Sequence, residues 1–312
     1  MATPEIILPR DRAAWLRARR QDITASVVGA LFGVHDFVTP FELWAIKTGR
    51  VREADEENDA MRRGRLLEPV AVQIIREEHP EWEVEHNAAD SRYYRDPELR
   101  LGATPDVIVR CPRRGLGIVQ IKSVEAGVYR RKWQDEDGVA EPPLWIALQA
   151  TLESHLVGAS WAAVMPLVIG FGVEAPIIDV DLTHRAGVIE AMAERTADFW
   201  QMVAEDREPV IDYEADAARI DALYGVGDQF EEADLTARQD ISEAVETARA
   251  ARAAQRAAEA KAVAAEARIK AALGTAEIGH LMGGRRVTWK THRKSSPSGI
   301  PTVYRVLRLP RD

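Results

Sequence analysis

The chain lacks the residues that would build a disulfide framework, a zinc cluster or a membrane span. Its single cysteine, Cys111, excludes an internal disulfide and a cysteine-based zinc cluster. The seven histidines are scattered and form no HExxH motif, so zinc catalysis is not indicated. No apolar run approaches the roughly 18 residues that a membrane helix needs, and the N-terminal stretch has no cleavage-site pattern. We therefore expect a cytoplasmic protein without membrane partners.

Two common catalytic signatures are also missing. No glycine-rich loop is followed by Lys and Ser or Thr, so an ATP-driven motor is not supported. Neither Ser26 nor Ser123 stands in a pattern that suggests a His and Asp relay, which argues against a serine hydrolase.

Charge is unevenly distributed along the chain. The net charge of -9 argues against a protein that coats DNA by bulk positive charge, because phosphate affinity comes from neutralising cations. Acidic residues cluster at 52–59, 134–141 and 229–234, and basic residues at 10–20, 62–65, 110–114, 130–132 and 285–311. Such segregation is compatible with a local positive channel on an acidic body.

Two hydrophobic periods alternate in the first 215 residues and predict an α/β fold. Helical spacing occurs in DITASVVGALFG, TPFELWAIKTG, LLEPVAVQIIREEHP, PPLWIALQATLESHLVG and RAGVIEAMAERTADFWQMVAED. Asp22 or Thr24 is a candidate N-cap of the first helix, and Thr39 followed by Pro40 begins the second. Strands are predicted in WEVEHNAA, LGATPDVIVR, LGIVQIKSV and SWAAVMPLVIG, with CPRRG as a hairpin turn. The most economical architecture is a central mixed sheet flanked by helices.

The chain changes character near residue 215. Residues 234–274 are alanine-rich, and their small side chains recur at alternating spacings of three and four, which predicts a helical coil that packs on a partner helix or on the protein body. Two basic strands follow, at 286–291 and 302–309, around a Ser, Pro and Gly loop. We predict a core domain at 1–215, a helical coiled-coil segment at 216–275 and a small basic β-hairpin at 276–312.

Polar residues are predicted to converge at the hairpin of the sheet. Asp106 follows Pro105 in an otherwise apolar strand, and Gln120 and Lys122 share one face of the next strand because they are two positions apart. Glu68 is an acid among apolar residues of a helix. Taken alone, Asp106 is more simply explained as a turn residue at the start of a strand, and Glu68 as an exposed glutamate near a helix N-terminus. Together the residues suit metal-dependent phosphodiester hydrolysis, in which oxygen ligands hold Mg²⁺ and a lysine orients the attacking water.

These motifs resemble a known family. The pattern TPD…QIK resembles the signature of the PD-(D/E)XK nucleases, and six segments between about residues 12 and 205 resemble, in order, the phage lambda exonuclease / YqaJ-type viral recombinase family. The resemblance implies a restriction-endonuclease-like fold and a Mg²⁺-dependent 5′ to 3′ exonuclease, with Mn²⁺ as a substitute, acting on double-stranded DNA ends. It further implies 3′ single-stranded tails for recombination, a trimeric ring, a single-strand annealing protein as partner, and a phage or prophage source.

The resemblance also assigns roles by position. The implied metal ligands are Asp106, Gln120, Glu68 and the backbone carbonyl of Ile121, with Lys122 as the catalytic lysine and Gln149 near the catalytic centre. Arg19 and Ser26 match a pair that receives the 5′-terminal phosphate, a role that a guanidinium and a hydroxyl near a helix N-terminus also suit. Trp15 is either a core residue or a stacking residue at the duplex end. Arg63 and Arg65, with Arg62, could line the channel by attraction to phosphates.

Gln120 departs from the family pattern, which has Glu at this position. An amide oxygen still ligates a cation but brings no charge, so metal affinity is expected to fall. The glutamine is a tolerated natural variant, a substitution made to trap a complex, or the mark of a protein that binds DNA without cutting it. Two rivals to the enzyme therefore stay open: a non-catalytic module that grips DNA ends, and an assembly protein organised by the alanine-rich helix.

Overall fold

The computed structural model describes residues 4–51, 58–88, 92–225, 232–294 and 302–310. Contacts within the chain define two compact units, Met1–Gly227 and Asp228–Asp312. The division into three domains at 215 and 275 stays a prediction.

The described part of the first unit contains seven α-helices and ten strands. The helices are α1 Arg12–Arg20, α2 Pro40–Lys47, α3 Asp59–Glu78, α4 Ala126–Lys132, α5 Leu144–Val157, α6 Arg185–Ala204 and α7 Ala217–Tyr224, with a 3-10 helix at Val28–Phe32. The strands are β1 Glu5–Ile7, β2 Ile23–Thr24, β3 Glu83–His86, β4 Tyr93–Asp96, β5 Leu101–Ala103, β6 Val107–Cys111, β7 Gly115–Glu125, β8 Trp161–Ile169, β9 Val173–Glu174 and β10 Ile178–Val180.

The central sheet has the order β10-β8-β7-β6-β3, with β9 paired to the outer part of β8. Strands β3, β6 and β7 are antiparallel neighbours, whereas β7 and β8 run parallel. Parallel neighbours need a crossover, and helix α5 supplies it. The succession of α3, three antiparallel strands, α5 and one parallel strand is the order of a restriction-endonuclease-like core. The predicted fold class, a central mixed sheet flanked by helices, is confirmed.

The two faces of the central sheet are covered by different helices, and this decides where the polar residues of β7 point. On one face, Val119 and Ile121 of β7 share a hydrophobic core with Ala71, Val72 and Ile75 of α3. On the other face, Ile118 and Val124 share a core with Ile146 and Ala150 of α5. Because side chains alternate along a strand, Gln120 and Lys122 lie on the α5 face.

Local signals explain some of the helix and strand ends. In α2, the side chain of Thr39 accepts a hydrogen bond from the Glu42 N–H, and Pro40 occupies the first helical position, as predicted. Helix α5 ends at Gly158, whose φ of 74° is in the left-handed region that glycine adopts at low cost. The chain reversal between β6 and β7 uses Gly115, with a φ of 76°, so the predicted CPRRG hairpin is confirmed.

The helix predicted in DITASVVGALFG is wrong in its first half. Ile23 and Thr24 form the short strand β2, which pairs in parallel with β5, and only the 3-10 helix follows. Asp22 is not an N-cap, because its buried carboxylate receives hydrogen bonds from Tyr93 and Arg95. The strand pairing therefore overrides the helical spacing of this segment.

A second sheet, with the order β1-β4-β5-β2, was not predicted from the sequence. Its strands are two to four residues long, which is too short for an alternating pattern to be recognised.

The second unit combines one long helix with a three-stranded antiparallel sheet. Helix α8 spans Gln239–Leu273, and no residue of it is buried within the described unit. The strands β11 Ile278–His280, β12 Arg286–Lys294 and β13 Thr302–Arg308 pair in that order, after a 3-10 turn at Met282–Gly284 between β11 and β12. The predicted alanine-rich helix and basic β element are confirmed, while β11 is an additional strand. Within the described residues of the whole chain, no helix is long and apolar enough to cross a membrane.

Candidate metal and DNA-end site

Asp106 and Gln120 meet at the α5 face of the central sheet. Asp106 lies just before β6, opposite Gln120 of β7, so the hairpin brings the two side chains together as predicted. The Gln120 amide donates from Nε2 to Asp106 Oδ2 at 2.5 Å, and the Ile121 backbone N–H donates to the same oxygen at 2.8 Å. Gln120 Oε1 is buried and has no hydrogen-bond partner among the described residues. The amide therefore caps the carboxylate and leaves its own oxygen unsatisfied.

Lys122 is held by a chain of hydrogen bonds that runs into α5. Its Nζ donates to Gln149 Oε1 at 2.8 Å, and Gln149 Nε2 donates to Glu153 Oε1 at 2.9 Å. Gln149 and Glu153 are one turn apart on the helix face that packs on β7. Glu153 is 1% exposed, and its Oε2 has no hydrogen-bond partner within the described residues. The carboxylate fixes the Gln149 amide so that its carbonyl faces the lysine.

Glu68 approaches the site from α3. Its Oε1 lies 2.7 Å from His86 Nε2 at the end of β3, and both side chains are about three-quarters shielded from solvent, with exposures of 22% and 25%. Pro69 follows Glu68 inside the helix. Glu68 is close enough for its charge to act on Asp106 and Lys122, so the structure brings together Asp106, Gln120, Lys122, Glu68 and Gln149.

Burial perturbs the pKa of three charged groups of the site, Asp106, Lys122 and Glu153. Burial, with a contribution from the charge of Glu68, raises the pKa of Asp106 to about 7. Burial also lowers the pKa of Lys122, against the opposing charges of Asp106, Glu153 and Glu68. The pKa of Glu153 is raised well above its ordinary value by burial and by the charge of Asp106. Perturbed groups of this kind are typical of functional sites.

The donor set suits a hard cation that keeps several water ligands. Asp106 and Glu68 offer carboxylate oxygens, and the unsatisfied oxygen of Gln120 is an amide donor of the kind that Mg²⁺ accepts. No group of three or more His, Cys, Asp or Glu side chains in the described ranges could hold a metal ion. A cation here would therefore depend on the amide, on a backbone carbonyl such as that of Ile121, and on water.

Arg19 and Ser26 lie side by side at a second polar cluster. Arg19 Nη2 donates to Ser26 Oγ at 3.1 Å and lies 3.4 Å from Thr24 Oγ1. The guanidinium also sits over the Trp15 ring, 4.3 Å from its centroid, and Trp15 Nε1 donates to Thr104 Oγ1 at 3.0 Å. Arg19 is in the last turn of α1, and Ser26 precedes only the short 3-10 helix, so no α-helix N-terminus contributes to this cluster.

A buried anchor behind this cluster holds its backbone. Asp22 is fully buried, accepts from Tyr93 Oη at 2.8 Å and pairs with Arg95 at 2.7 Å. Lys47 Nζ donates to the backbone carbonyls of Arg19 and Asp22 at 3.1 and 2.7 Å. These contacts fix the turn between α1 and β2, and with it the position of Arg19 relative to Ser26.

The arginines of α3 differ in their surroundings. Arg63 is half-buried and its Nη2 donates to the Val124 carbonyl near the end of β7, at 3.3 Å. Arg62 and Arg65 are exposed on the same helix. Arg63 therefore lies at the end of the strand that carries Gln120 and Lys122, and a channel role for these arginines stays a prediction.

Sequence reasoning missed several residues around Lys122. Glu153 gave no signal because one acid in a long apolar helix is indistinguishable from a surface residue until the helix is seen to be buried on nearly every side. Trp145 of α5 lies under Lys122, with Nζ 5.3 Å from the ring centroid, and the His35 ring packs on Trp145 at 4.5 Å. His35 Nδ1 accepts from the N–H groups of Phe37 and Val38, so Nε2 carries the proton and donates to the Ser26 carbonyl at 3.0 Å. His35 thus links the Arg19 cluster to the Lys122 cluster.

The sheet order, with Asp106 just before β6 and with Gln120 and Lys122 on the adjoining β7, defines a restriction-endonuclease-like α/β protein of the PD-(D/E)XK pattern. Residues 14–152 match the family model of the YqaJ-like viral recombinase domain. This part of the chain is therefore similar to that family, and the resemblance found in the sequence is confirmed.

Individual relatives are more distant. The uncharacterized protein YqaJ of Bacillus subtilis (strain 168) is 38% identical over 61 residues, which are 20% of this chain and 19% of that protein. The match thus spans about a fifth of the length of that relative. An alkaline exonuclease (LHK-Exo) from Laribacter hongkongensis has a TM-score of 0.48 at 19% identity, covering 67% of this chain and 99% of that one. A phage related exonuclease from Haemophilus somnus 129PT has a TM-score of 0.40 at 13% identity, covering 59% of this chain and 96% of that one.

Proposed function

We propose that this protein is a divalent-metal-dependent nuclease that degrades double-stranded DNA from its ends. The observation that carries the proposal is Lys122, held by Gln149 beside the Asp106 and Gln120 pair on one face of the central sheet. A lysine and a carboxylate at this spacing can serve one reacting phosphate, the lysine from the side of the attacking water and the carboxylate from the side of the metal.

Lys122 positions the nucleophile in this proposal. An ammonium has three protons, and the bond to Gln149 uses one of them. The other two can bind an attacking water and a phosphate oxygen at once, which fixes their geometry and offsets the charge that develops on the phosphate. The lowered pKa of Lys122 brings the amine nearer to the pH at which it can exchange a proton with that water.

Glu153 acts through Gln149. The Gln149 carbonyl faces Lys122 because the amide nitrogen is bound by the Glu153 carboxylate. If the amide rotated by half a turn, two donors would face each other, so the acid selects the orientation that holds the lysine. We therefore assign Glu153 as a positioning residue.

Asp106, Glu68, Gln120 and the Ile121 carbonyl would hold a divalent cation, with Mg²⁺ the expected ion and Mn²⁺ a substitute. When bound, such an ion lowers the pKa of an attacking water and neutralises charge on the scissile phosphate. Gln120 can join the ligand set by rotating its amide, because its free oxygen would then take the place of the nitrogen that now binds Asp106. That rotation exchanges a hydrogen bond for a bond to the cation.

The Arg19 cluster supports a preference for one kind of DNA end. A guanidinium and two hydroxyls, from Ser26 and Thr24, are the donors that a terminal phosphate needs, and Trp15 offers an aromatic face beside them. Recognition of a 5′-phosphate next to the cleavage site would give 5′ to 3′ polarity and leave a 3′ single-stranded tail.

The wider biology is proposed from the family resemblance alone. A YqaJ-like viral recombinase domain fits a phage or prophage gene product that works in the cytoplasm of a bacterial host, hands its 3′ tail to a single-strand annealing protein, and encircles DNA as a trimer. These features belong to the proposal and depend on the nuclease activity itself.

The direct test is degradation of a 5′-phosphorylated linear duplex with Mg²⁺ or Mn²⁺ by the parent chain, Gln120→Glu and Lys122→Ala. The proposal expects the parent to release nucleotides from the 5′ end and Lys122→Ala to be inactive while still binding DNA. If the Lys122→Ala variant degrades the duplex as fast as the parent chain does, the assigned site is refuted.

One observation favours a second candidate, a module that grips DNA ends without cutting. Gln120 donates a hydrogen bond to Asp106 where the family pattern has a second acid, so this site offers one charged metal ligand fewer. The same assay separates the two functions, because a gripping module binds the duplex in EDTA and stays inactive with either metal. If only Gln120→Glu cuts, the glutamine is what disables the nuclease.

A further inference from the structure

One face of the sheet in the second unit carries several basic side chains. Successive side chains of a strand alternate between faces, so Arg286, Lys290, His292 and Lys294 of β12 share one face. The pairing of β12 with β13 places Arg308 and Tyr304 on that face, opposite Thr288 and His292. Side chains of Arg286, Lys290, His292 and Arg308 line a shallow cavity of about 430 Å³. Within the described strands, no Asp or Glu occupies this basic sheet face.

The opposite face of the same sheet is already covered. Val287 is 4% exposed and packs with Gly279 and Leu273 at the end of α8. Arg305 lies over the Trp289 ring at 3.7 Å and donates to the Gly274 and Ala276 carbonyls at 2.8 and 2.6 Å. These contacts explain the position of the sheet on the helix, and none of them uses a charge of the basic sheet face.

The basic sheet face also carries an aromatic pair. The rings of His292 and Tyr304 stack with a centroid distance of 6.0 Å and an interplanar angle of 22°, and Tyr304 is 46% exposed. The pair lies between Lys290 and Lys294 along β12. Cations that flank an exposed aromatic surface are the arrangement that binds a single strand, since phosphates contact the cations and unpaired bases stack on the ring.

We propose that the basic sheet face, Arg286, Lys290, His292, Lys294, Tyr304 and Arg308, is a binding site for single-stranded DNA that is separate from the nuclease site. A duplex has its base faces buried in its own stack, so it can use the cations but not Tyr304 except at an end. The whole chain has a net charge of -9 and would repel phosphates. The cations that cluster on this face can still attract phosphates locally.

Binding is measured by fluorescence anisotropy of a labelled 30-nucleotide oligothymidine and of a duplex of equal length, in EDTA, with the full chain. EDTA prevents cleavage, so the result does not depend on whether the nuclease proposal holds. The face variant is R286Q/K290Q/R308Q. The matched control, R252Q/R256Q/R293Q, removes the same three charges from exposed positions on α8 and on the other face of β12.

The face variant is expected to bind the single strand at least about tenfold more weakly than the parent. The slope of log affinity against log salt should become shallower by about 2, because three phosphate contacts are lost and each contributes roughly 0.7 to that slope. The control keeps the parent affinity and slope. A separate Tyr304→Leu change, which leaves all charges in place, is expected to weaken single-strand binding at least fivefold, since stacking on an aromatic ring contributes about 1–3 kcal/mol per base, and to leave duplex binding unchanged.

The proposal is overturned if the face and control variants lose affinity equally, or if the face variant binds the single strand as well as the parent does. It is also overturned if Tyr304→Leu leaves single-strand binding unchanged. Thermal unfolding of each variant in EDTA shows whether the sheet is intact. If R286Q/K290Q/R308Q unfolds, Tyr304→Leu and single changes at Lys290 and Arg308 decide the question.

Discussion

The sharpest prediction concerns Asp106→Asn in the metal-free protein, where the substitution should stabilise the fold at neutral pH. The pKa of Asp106 rises from 3.8 to about 7 on folding, chiefly through burial. Between these two values the folded state binds more protons than the unfolded state, so the free energy of unfolding falls as the pH rises. The penalty is absent near pH 4 and fully present above about pH 7.

The size of this penalty on the free energy of unfolding follows from the pKa shift of Asp106. About three pH units at about 1.4 kcal/mol each give about 4 kcal/mol, and water that reaches the partly exposed carboxyl reduces this to an expected 2–4 kcal/mol. Asparagine removes the charge, and its carbonyl can still accept from the Ile121 N–H. That carbonyl takes the place of Asp106 Oδ2, so it can also accept from the Gln120 amide.

The assay is chemical unfolding in EDTA at pH 5 and pH 8, repeated with Mg²⁺. The free energy of unfolding of Asp106→Asn should exceed that of the parent by about 2–4 kcal/mol at pH 8 and by much less at pH 5. Mg²⁺ should stabilise the parent and not the variant. Leu67→Ala serves as a control, because it shortens a partly buried apolar side chain that packs against the core of Val119 and Ile121 and adds no titratable group. A stability difference between Asp106→Asn and the parent that is the same at both pH values would refute the reasoning.

Three further predictions concern other side chains of the site. Gln120→Glu should raise the affinity for Mn²⁺ at least tenfold in calorimetry, because it adds a charged ligand, and should lower stability in EDTA at pH 8, because two carboxylates then face each other; equal Mn²⁺ affinity in both proteins would contradict the assigned ligand. Arg19→Ala should abolish the preference for 5′-phosphorylated over 5′-hydroxyl duplex ends, with Arg20→Ala as control; a preference that survives would remove Arg19 from the end site. Glu153→Leu leaves the buried Gln149 amide without its acceptor, so the amide can turn its nitrogen toward Lys122. This substitution should lower kcat at least tenfold with little change in KM, while Glu153→Gln keeps the bond to Gln149 and most of the activity; equal losses in both variants would argue against the positioning role.

Local chemistry made parts of the fold predictable. Thr39 and Pro40 start α2, Gly158 ends α5, and Gly115 turns the hairpin, because each needs only a cap or a φ that neighbouring residues supply. The segment after Asp22 could not be predicted this way. Its helical spacing is real, but pairing with β5 and the buried contacts of Asp22 with Tyr93 and Arg95 involve residues more than 70 positions away.

The same division applies to the site. The two-residue spacing of Gln120 and Lys122 and the hairpin that carries Asp106 determined the meeting of these three residues, because strand alternation and antiparallel pairing are local rules. Only the tertiary structure decided that α5 covers their face, which brings Gln149 to Lys122 and buries Glu153 behind it. The pKa shifts of Asp106 and Lys122 come from that burial, and burial depends on packing between elements far apart in the chain. The sequence therefore determined which groups could act together, and tertiary packing decided their hydrogen-bond partners and their protonation.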